Sequence, residues 1–245
     1  MKLPGFGGAV KQDTISITLV CIAICVSVLQ FTLDPSGDLL YLFPSVLASL
    51  GIGLQIMLEW KFPRAHVERV AADKRRWGEI VMFTALCILG FWIVSLGIPF
   101  KPASTINLSG VVNSGCEAIA ETEFFQCFVL NALLLVPLPM PGRANRSVHF
   151  KMQAQPWYLA AAEATLIAGV FHIGRYGGDW NSMYYVLGGF LIINCVCIWS
   201  GVVSPGMLGH LFNNIKASLS IVLPIAAVAA PLIFKVLFSL GGIVV

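Results

Sequence analysis

An all-α membrane bundle is the fold class this sequence predicts, and three observations predict it. Hydrophobic residues make up 58% of the 245-residue chain and charged residues only 11%, well below the roughly 25% charged share of a soluble domain. Mean hydropathy is +0.85. Apolar runs of about 20 residues, the length that crosses a bilayer as a helix, follow one another with short polar breaks. Neither a linker, a low-complexity stretch nor an evident internal repeat divides them. The chain therefore reads as one polytopic helical domain, residues 1–245, with about eight transmembrane helices.

The candidate spans follow in order. Thr14 to Leu33 is the first, too long for the apolar region of a signal peptide and without a small-residue cleavage site. Leu39 to Trp60, Gly78 to Ile98, Asn113 to Leu138, Trp157 to Gly174 and Ser182 to Val203 come next. The tail from Gly206 to Val245 is too long for one crossing, and Pro224 divides it into a seventh and an eighth span.

Charge orients the bundle. Lys61, Arg64, Arg69, Lys74, Arg75 and Arg76 crowd the second connection, and Arg143, Arg146 and Lys151 the fourth. The first, third and fifth connections carry Asp34 and Asp38, Lys101, and Arg175 with Asp179. Basic loops stay on the cytoplasmic side, so both termini are expected there. The same reading treats the basic loops as topology signals and expects no nucleic-acid partner. The membrane would be the plasma membrane of a prokaryote or the endoplasmic reticulum of a eukaryote. Asn107-Leu-Ser109 is then a sequon in an outer loop and Asn145-Arg-Ser147 one in an inner loop. The seven cysteines fall in or beside apolar spans, which predicts buried thiols rather than a disulfide framework.

Several polar groups inside the spans are not explained by topology. On the fourth span they are Glu117, Glu121, Thr122, Glu123 and Gln126; on the fifth, Glu163 and His172; on the seventh, His210, Asn213, Asn214 and Lys216. Ionisable groups in hydrocarbon are costly and normally face the bundle interior, where they mark a functional path. Glu117 and Glu121 are four apart and share a helix face, as do His210 and Asn214, whereas Glu123 is turned roughly 200° from Glu121. Thr122 and Gln126 are also four apart, a spacing that allows a hydrogen bond between them. Taken singly, Glu117 and Glu163 read as protonated groups or residues of wet helix ends. Together, a glutamate, two histidines and an asparagine on three helices supply the groups for water activation and oxyanion stabilisation.

These residues resemble the motifs of the CPBP intramembrane glutamic protease family, which includes the type II CAAX prenyl endopeptidases. That family carries EExxxR on one helix, FxxxH on the next, and HxxxN or HxxxD on a later one. Here "ETEFFQ" from Glu121 to Gln126, "AGVFH" ending at His172 and "HLFNN" from His210 to Asn214 occur in that order. The resemblance covers roughly Glu121 to Asn214. Thr122 stands in place of the second glutamate, Gln126 in place of the arginine and Ala168 in place of the phenylalanine, with Phe171 beside the histidine. A charged pair has been exchanged for a neutral one, which leaves no unpaired charge behind.

The resemblance implies an eight-span, metal-independent endopeptidase. Glu121 and His172 would activate water, and His210 and Asn214 would form the oxyanion hole; Thr122, Gln126, Glu117 and Asn213 would support them. The substrate would be a membrane-associated peptide or protein, prenylated tails included, and no cofactor is implied. Two histidines and a glutamate are also zinc-ligand types, so a metal-assisted water stays open at this point. Two other functions compete: a catalytically inactive membrane scaffold that binds a partner through the same groups, and a proton-coupled transporter. Counting about 1.5 Å per residue from the cytoplasmic ends, Glu121 and His172 lie roughly 20 Å deep but His210 only roughly 6 Å. A joint site thus requires the Ser204-Pro205-Gly206 break to lie deeper, inside protein, or the sixth span to be short or tilted.

Overall fold

In the computed structural model of the chain, residues 10–34, 38–61, 74–96, 107–144, 147–153, 155–176 and 179–218 are described, with side chains except at 74–76, 138–153 and 216–218. Asp13 starts the first helix, α1 (Thr14–Leu33), through a reciprocal cap. Its carboxylate accepts the Ser16 N–H at 2.8 Å, and the Ser16 hydroxyl accepts the Asp13 N–H at 3.0 Å, which satisfies orphan donors of the first turn. Asp38 likewise caps a 3₁₀ turn, Leu39–Leu42, that runs into α2 (Phe43–Lys61). Helix α3 spans Lys74–Ser95.

Asn107 caps α4 (Leu108–Thr122), so this span begins five residues before the predicted Asn113. The helix then widens into π-helical turns over Glu123–Leu130 and closes as α5 (Asn131–Leu135). A further departure from the all-helical expectation follows. Strands β1 (Leu138–Ala144) and β2 (Ser147–Gln153) form an antiparallel hairpin, with Leu138 opposite Gln153 and Ala144 opposite Ser147. The alternating Pro137, Pro139 and Pro141 forbid a helix, and a two-stranded hairpin has only edges, where proline is tolerated. Then come α6 (Trp157–Tyr176), α7 (Trp180–Ser200) and α8 (Ser204–Ser218).

Six of these stretches are long and apolar enough to cross a membrane: Thr14–Leu33, Leu39–Lys61, Trp77–Ser95, Leu108–Leu135, Trp157–Tyr176 and Trp180–Ser200. The chain is a multi-pass membrane protein. Helix α8 occupies the start of the predicted seventh span, and the rest of that span and the eighth lie outside the described residues. Leu108–Leu135 is the central rod: 72% of its apolar window is buried, against 22–39% for the other five. Around it pack α1, α2, α6 and α8, while α3 and α7 complete the ring against α8.

Small residues let these helices approach. A methyl group on Gly209 would come within 2.7 Å of Cys87 Cβ on α3. One on Gly51 would meet the Phe124 backbone at 3.1 Å. Close backbone approach of this kind is how helices associate in lipid, where apolar burial alone gives no preference for protein over hydrocarbon.

The turn between α7 and α8 is the deepest irregularity. Gly201 adopts a left-handed conformation with φ of 71° and ends α7, as C-terminal glycines do. Val202, Val203 and Ser204 are then almost fully buried, and their backbone is satisfied by a segment ahead of α1. Lys11 forms a parallel bridge with Val202: its N–H donates to Gly201 O at 3.0 Å, and its carbonyl accepts from the Val203 N–H at 3.0 Å. The Ser204 hydroxyl donates to the Asp13 carboxylate. Next to it, the Asn131 side chain acts as a surrogate peptide for Val10, accepting its N–H at 2.7 Å and donating to its carbonyl at 2.6 Å. Non-helical backbone survives inside the bundle because protein, not lipid, surrounds it.

Candidate active site

Pairing between α4 and α8 resolves the question of depth. Ser114 O accepts from Asn214 Nδ2 at 3.3 Å and Thr122 Oγ1 lies 3.0 Å from His210 Nδ1, so the two helices run antiparallel. His210 lies six residues into α8, about 9 Å along it. Since α8 starts at a buried turn rather than at the membrane surface, that distance brings His210 level with Glu121.

Both histidines converge on Glu121. His172 Nε2 is 3.5 Å from one carboxylate oxygen and His210 Nε2 is 3.8 Å from the other. The tautomers follow from the opposite ring nitrogens. His172 Nδ1 is 2.7 Å from the Ala168 carbonyl, which can only accept, so this nitrogen carries a proton. Thr122 donates its one hydroxyl proton to Ala118 O at 2.7 Å, so it accepts from His210 Nδ1. When neutral, each imidazole therefore directs a lone pair from Nε2 towards Glu121. Three acceptors facing one point call for protons between them, and a water placed there would have two to give.

Aromatic rings hold this arrangement. Phe190 packs against both imidazoles, with ring centroids 5.3 Å from His172 and 5.6 Å from His210. Phe91 stacks on His210 at 6.1 Å and Tyr176 on His172 at 6.1 Å.

Glu121, His172 and His210 form the inner end of a cavity of about 240 Å³ that Asn213, Asn214, Glu117 and Arg175 also line. Glu117 accepts from Asn113 at 3.0 Å and pairs with the half-exposed Arg175 at 3.4 Å. Glu163 accepts a hydrogen bond from Gln155. The Asn213 amide reaches Asn214 at 3.4 Å, and its carbonyl oxygen accepts from the Tyr185 hydroxyl. The Lys216 side chain lies outside the described residues.

The expected bond between Thr122 and Gln126 is absent among the described contacts, because the π-helical turns begin between them and separate their faces. Thr122 instead serves His210, and Gln126 donates to Asn194 at 2.8 Å. Asn194 in turn donates to Thr165 at 3.0 Å and to the Ala161 carbonyl at 3.2 Å, which ties the central rod to α6 and α7. Asn194 had a signal in the sequence, since it is the single amide between Val186 and Ile198. Arg175, Tyr185 and Phe190 carried none that separates them from ordinary loop and core residues.

Glu123 turns away from the cavity. It accepts from Gln12 at 2.8 Å on the opposite side of the rod. Among the described residues no group of three His, Cys, Asp or Glu side chains is arranged to hold a metal ion. All seven cysteines are free thiols, and the expected burial fails for Cys21 and Cys25, which are exposed on the outer face of α1, and in part for Cys195.

No protein family, curated protein or solved structure matches the chain. Fold and cavity together define a multi-pass membrane protein with a buried, one-glutamate, two-histidine polar site.

Proposed function

We propose that the protein is an intramembrane endopeptidase that uses Glu121 to activate water. The observation that carries this reading is the convergence of two imidazole Nε2 atoms on one buried carboxylate while both Nδ1–H groups are occupied elsewhere. A water among them gives one proton to Glu121 as its oxygen attacks the peptide carbonyl carbon. The carbonyl π electrons become an oxyanion. Asn214 Nδ2, weakly held at 3.3 Å by Ser114 O, can donate to it. His210 donates from Nε2 only in its protonated form, because its neutral tautomer offers a lone pair there. Collapse of the intermediate breaks the C–N bond, and the proton on Glu121 passes to the departing amine. One oxyanion donor contributes about 2.7 to 4 kcal/mol in such sites.

Thr122 and Gln126 support this reading rather than oppose it. Thr122 fixes the tautomer of His210, the orienting task that a partner on the far ring nitrogen performs for a catalytic histidine. Gln126 makes a neutral tie to Asn194 where the resembled family has a charged one. The likeness to CPBP proteases in "ETEFFQ", "AGVFH" and "HLFNN" agrees with the assignment of Glu121, His172, His210 and Asn214. Both termini are taken to be cytoplasmic, as the basic connections indicate.

The test is to reconstitute the protein and its Glu121→Gln variant with prenylated and unprenylated membrane peptides and to read new peptide ends by mass spectrometry. Cleavage by the wild type alone, unchanged by a chelator, is the expected result. Absence of cleavage across a broad panel would turn the assignment to a scaffold that binds a partner in the same cavity.

A further inference from the structure

We propose that the cavity takes its substrate from the non-cytoplasmic side of the membrane, so that the substrate class is an exported or membrane-anchored peptide rather than a cytosolic tail. The proposal rests on the hydrolase reading for its chemistry but not for its geometry. Three observations carry it.

Outside the inner end formed by Glu121, His172, His210 and the middle of α7, the lining residues lie toward one end of the bundle. Phe91 is near the end of α3, Ser114 and Glu117 precede Glu121 on α4, Arg175 and Tyr176 end α6, and Asn213 and Asn214 come late in α8. Successive spans alternate in direction, so the end of α3, the start of α4, the end of α6 and the start of α7 share one side.

Exposure falls along the cavity from that side inward. The Arg175 side chain is 56% exposed, Glu117 12% and Glu121 6%. Beyond Glu121 the rod is sealed: Thr122, Phe125, Gln126, Asn194 and Met207 are each 0% exposed. The site has a mouth and a floor.

The opposite end carries the positive charge. Lys61 ends α2, Lys74 begins α3, and in sequence Arg64, Arg69, Arg75 and Arg76 fall between or beside them. The hairpin that joins α5 to α6 at this end adds Arg143 and Lys151. On the mouth side Arg175 ends α6 and Lys216 follows Asn214 on α8, Lys101 falls between α3 and α4 in sequence, and Asp34, Asp38 and Asp179 accompany them. Trp60 and Trp77 stand at the basic end and Trp180 and Tyr184 at the mouth, all exposed, as belts at the two membrane interfaces would be. By the positive-inside rule the floor faces the cytoplasm and the mouth faces away from it.

Site-directed thiol labelling with a membrane-impermeant reagent tests this on the intact protein. In a background with Cys21 and Cys25, the exposed native thiols, replaced by Ala, Ser114→Cys reports the cavity, Leu108→Cys the mouth end and Lys61→Cys the basic end. Ser114→Cys and Leu108→Cys are expected to label in right-side-out vesicles and to be protected in sealed inverted ones, with Lys61→Cys the reverse. Labelling of Ser114→Cys together with Lys61→Cys, from neither side, or of Leu108→Cys from the cytoplasmic side would overturn the proposal. Labelling requires no turnover. A protein that labels as expected but never cleaves would count against the hydrolase reading while leaving the direction of access intact.

Discussion

Glu121 and Glu123 are separated by one residue on the central rod, are both almost fully buried, and differ in everything around them. Glu121 looks into a cavity, with histidines from α6 and α8 held a little beyond direct hydrogen-bond length. Glu123 is covered by the segment ahead of α1 and takes a direct bond from Gln12. One environment leaves room for a small molecule to enter and react; the other closes over the carboxylate with protein. The π-helical turns start between them, and such turns recur at functional sites because they turn neighbouring side chains to new faces. Burial of a carboxylate in a membrane helix is therefore no guide to its role until its neighbours are known.

The largest expected effect separates the pair by chemistry. Glu121→Gln should lower peptide cleavage by about 10²- to 10⁴-fold, the usual share of a general base, while Glu123→Gln should leave the cleavage rate near that of wild type. Comparable losses from both would erase the distinction. Next comes the seal itself. Asn131→Leu removes both partners of the Val10 peptide group, and loss of about 2 to 5 kcal/mol is expected in detergent unfolding.

Gly209→Ala forces α3 away from α8 at Cys87 and should cost about 1 to 3 kcal/mol. Its neighbour His210 should shift with the helix, so kcat should fall along with stability. Thr122→Val deletes the acceptor that holds His210 and is expected to slow cleavage about three- to tenfold, with Thr122→Ser restoring it. Arg175→Gln should have the smallest effect. Its pair with Glu117 lies in the mouth and holds a half-exposed guanidinium, which solvent screens to a worth of about 1 kcal/mol or less. The change should appear in KM without a change in thermal unfolding.

Much of this comparison was legible in the sequence. Apolar run lengths located α1 and the Leu39–Lys61 stretch almost to the residue, because a membrane span is selected by one dominant quantity, its hydrophobic length. Four-residue spacing put Glu117 with Glu121 and His210 with Asn214, and the structure gathers all four around one cavity. The roughly 200° turn separating Glu123 from Glu121 is matched by its bond to Gln12. What spacing could not supply was tertiary. A regular helix paired Thr122 with Gln126, but the π-helical turns send one to α8 and the other to α7. Depth counted from the membrane surface misplaced His210, since α8 starts inside the protein at a turn braced by Lys11. Nothing in Val10 or Lys11 announced that role, because backbone hydrogen bonds leave no residue signature.

That brace also sets an order of events during synthesis. Ser204 and Asp13 are 191 positions apart, so the contact between them cannot form until the ribosome has released the turn after α7. A nascent chain stopped before Gly201 would hold all six apolar crossings yet lack Gly201, Val203 and Ser204, the groups that meet Lys11 and Asp13. Membrane insertion of the six crossings thus precedes the closing of this turn, where Lys11 and Asp13 ahead of α1 meet residues made much later.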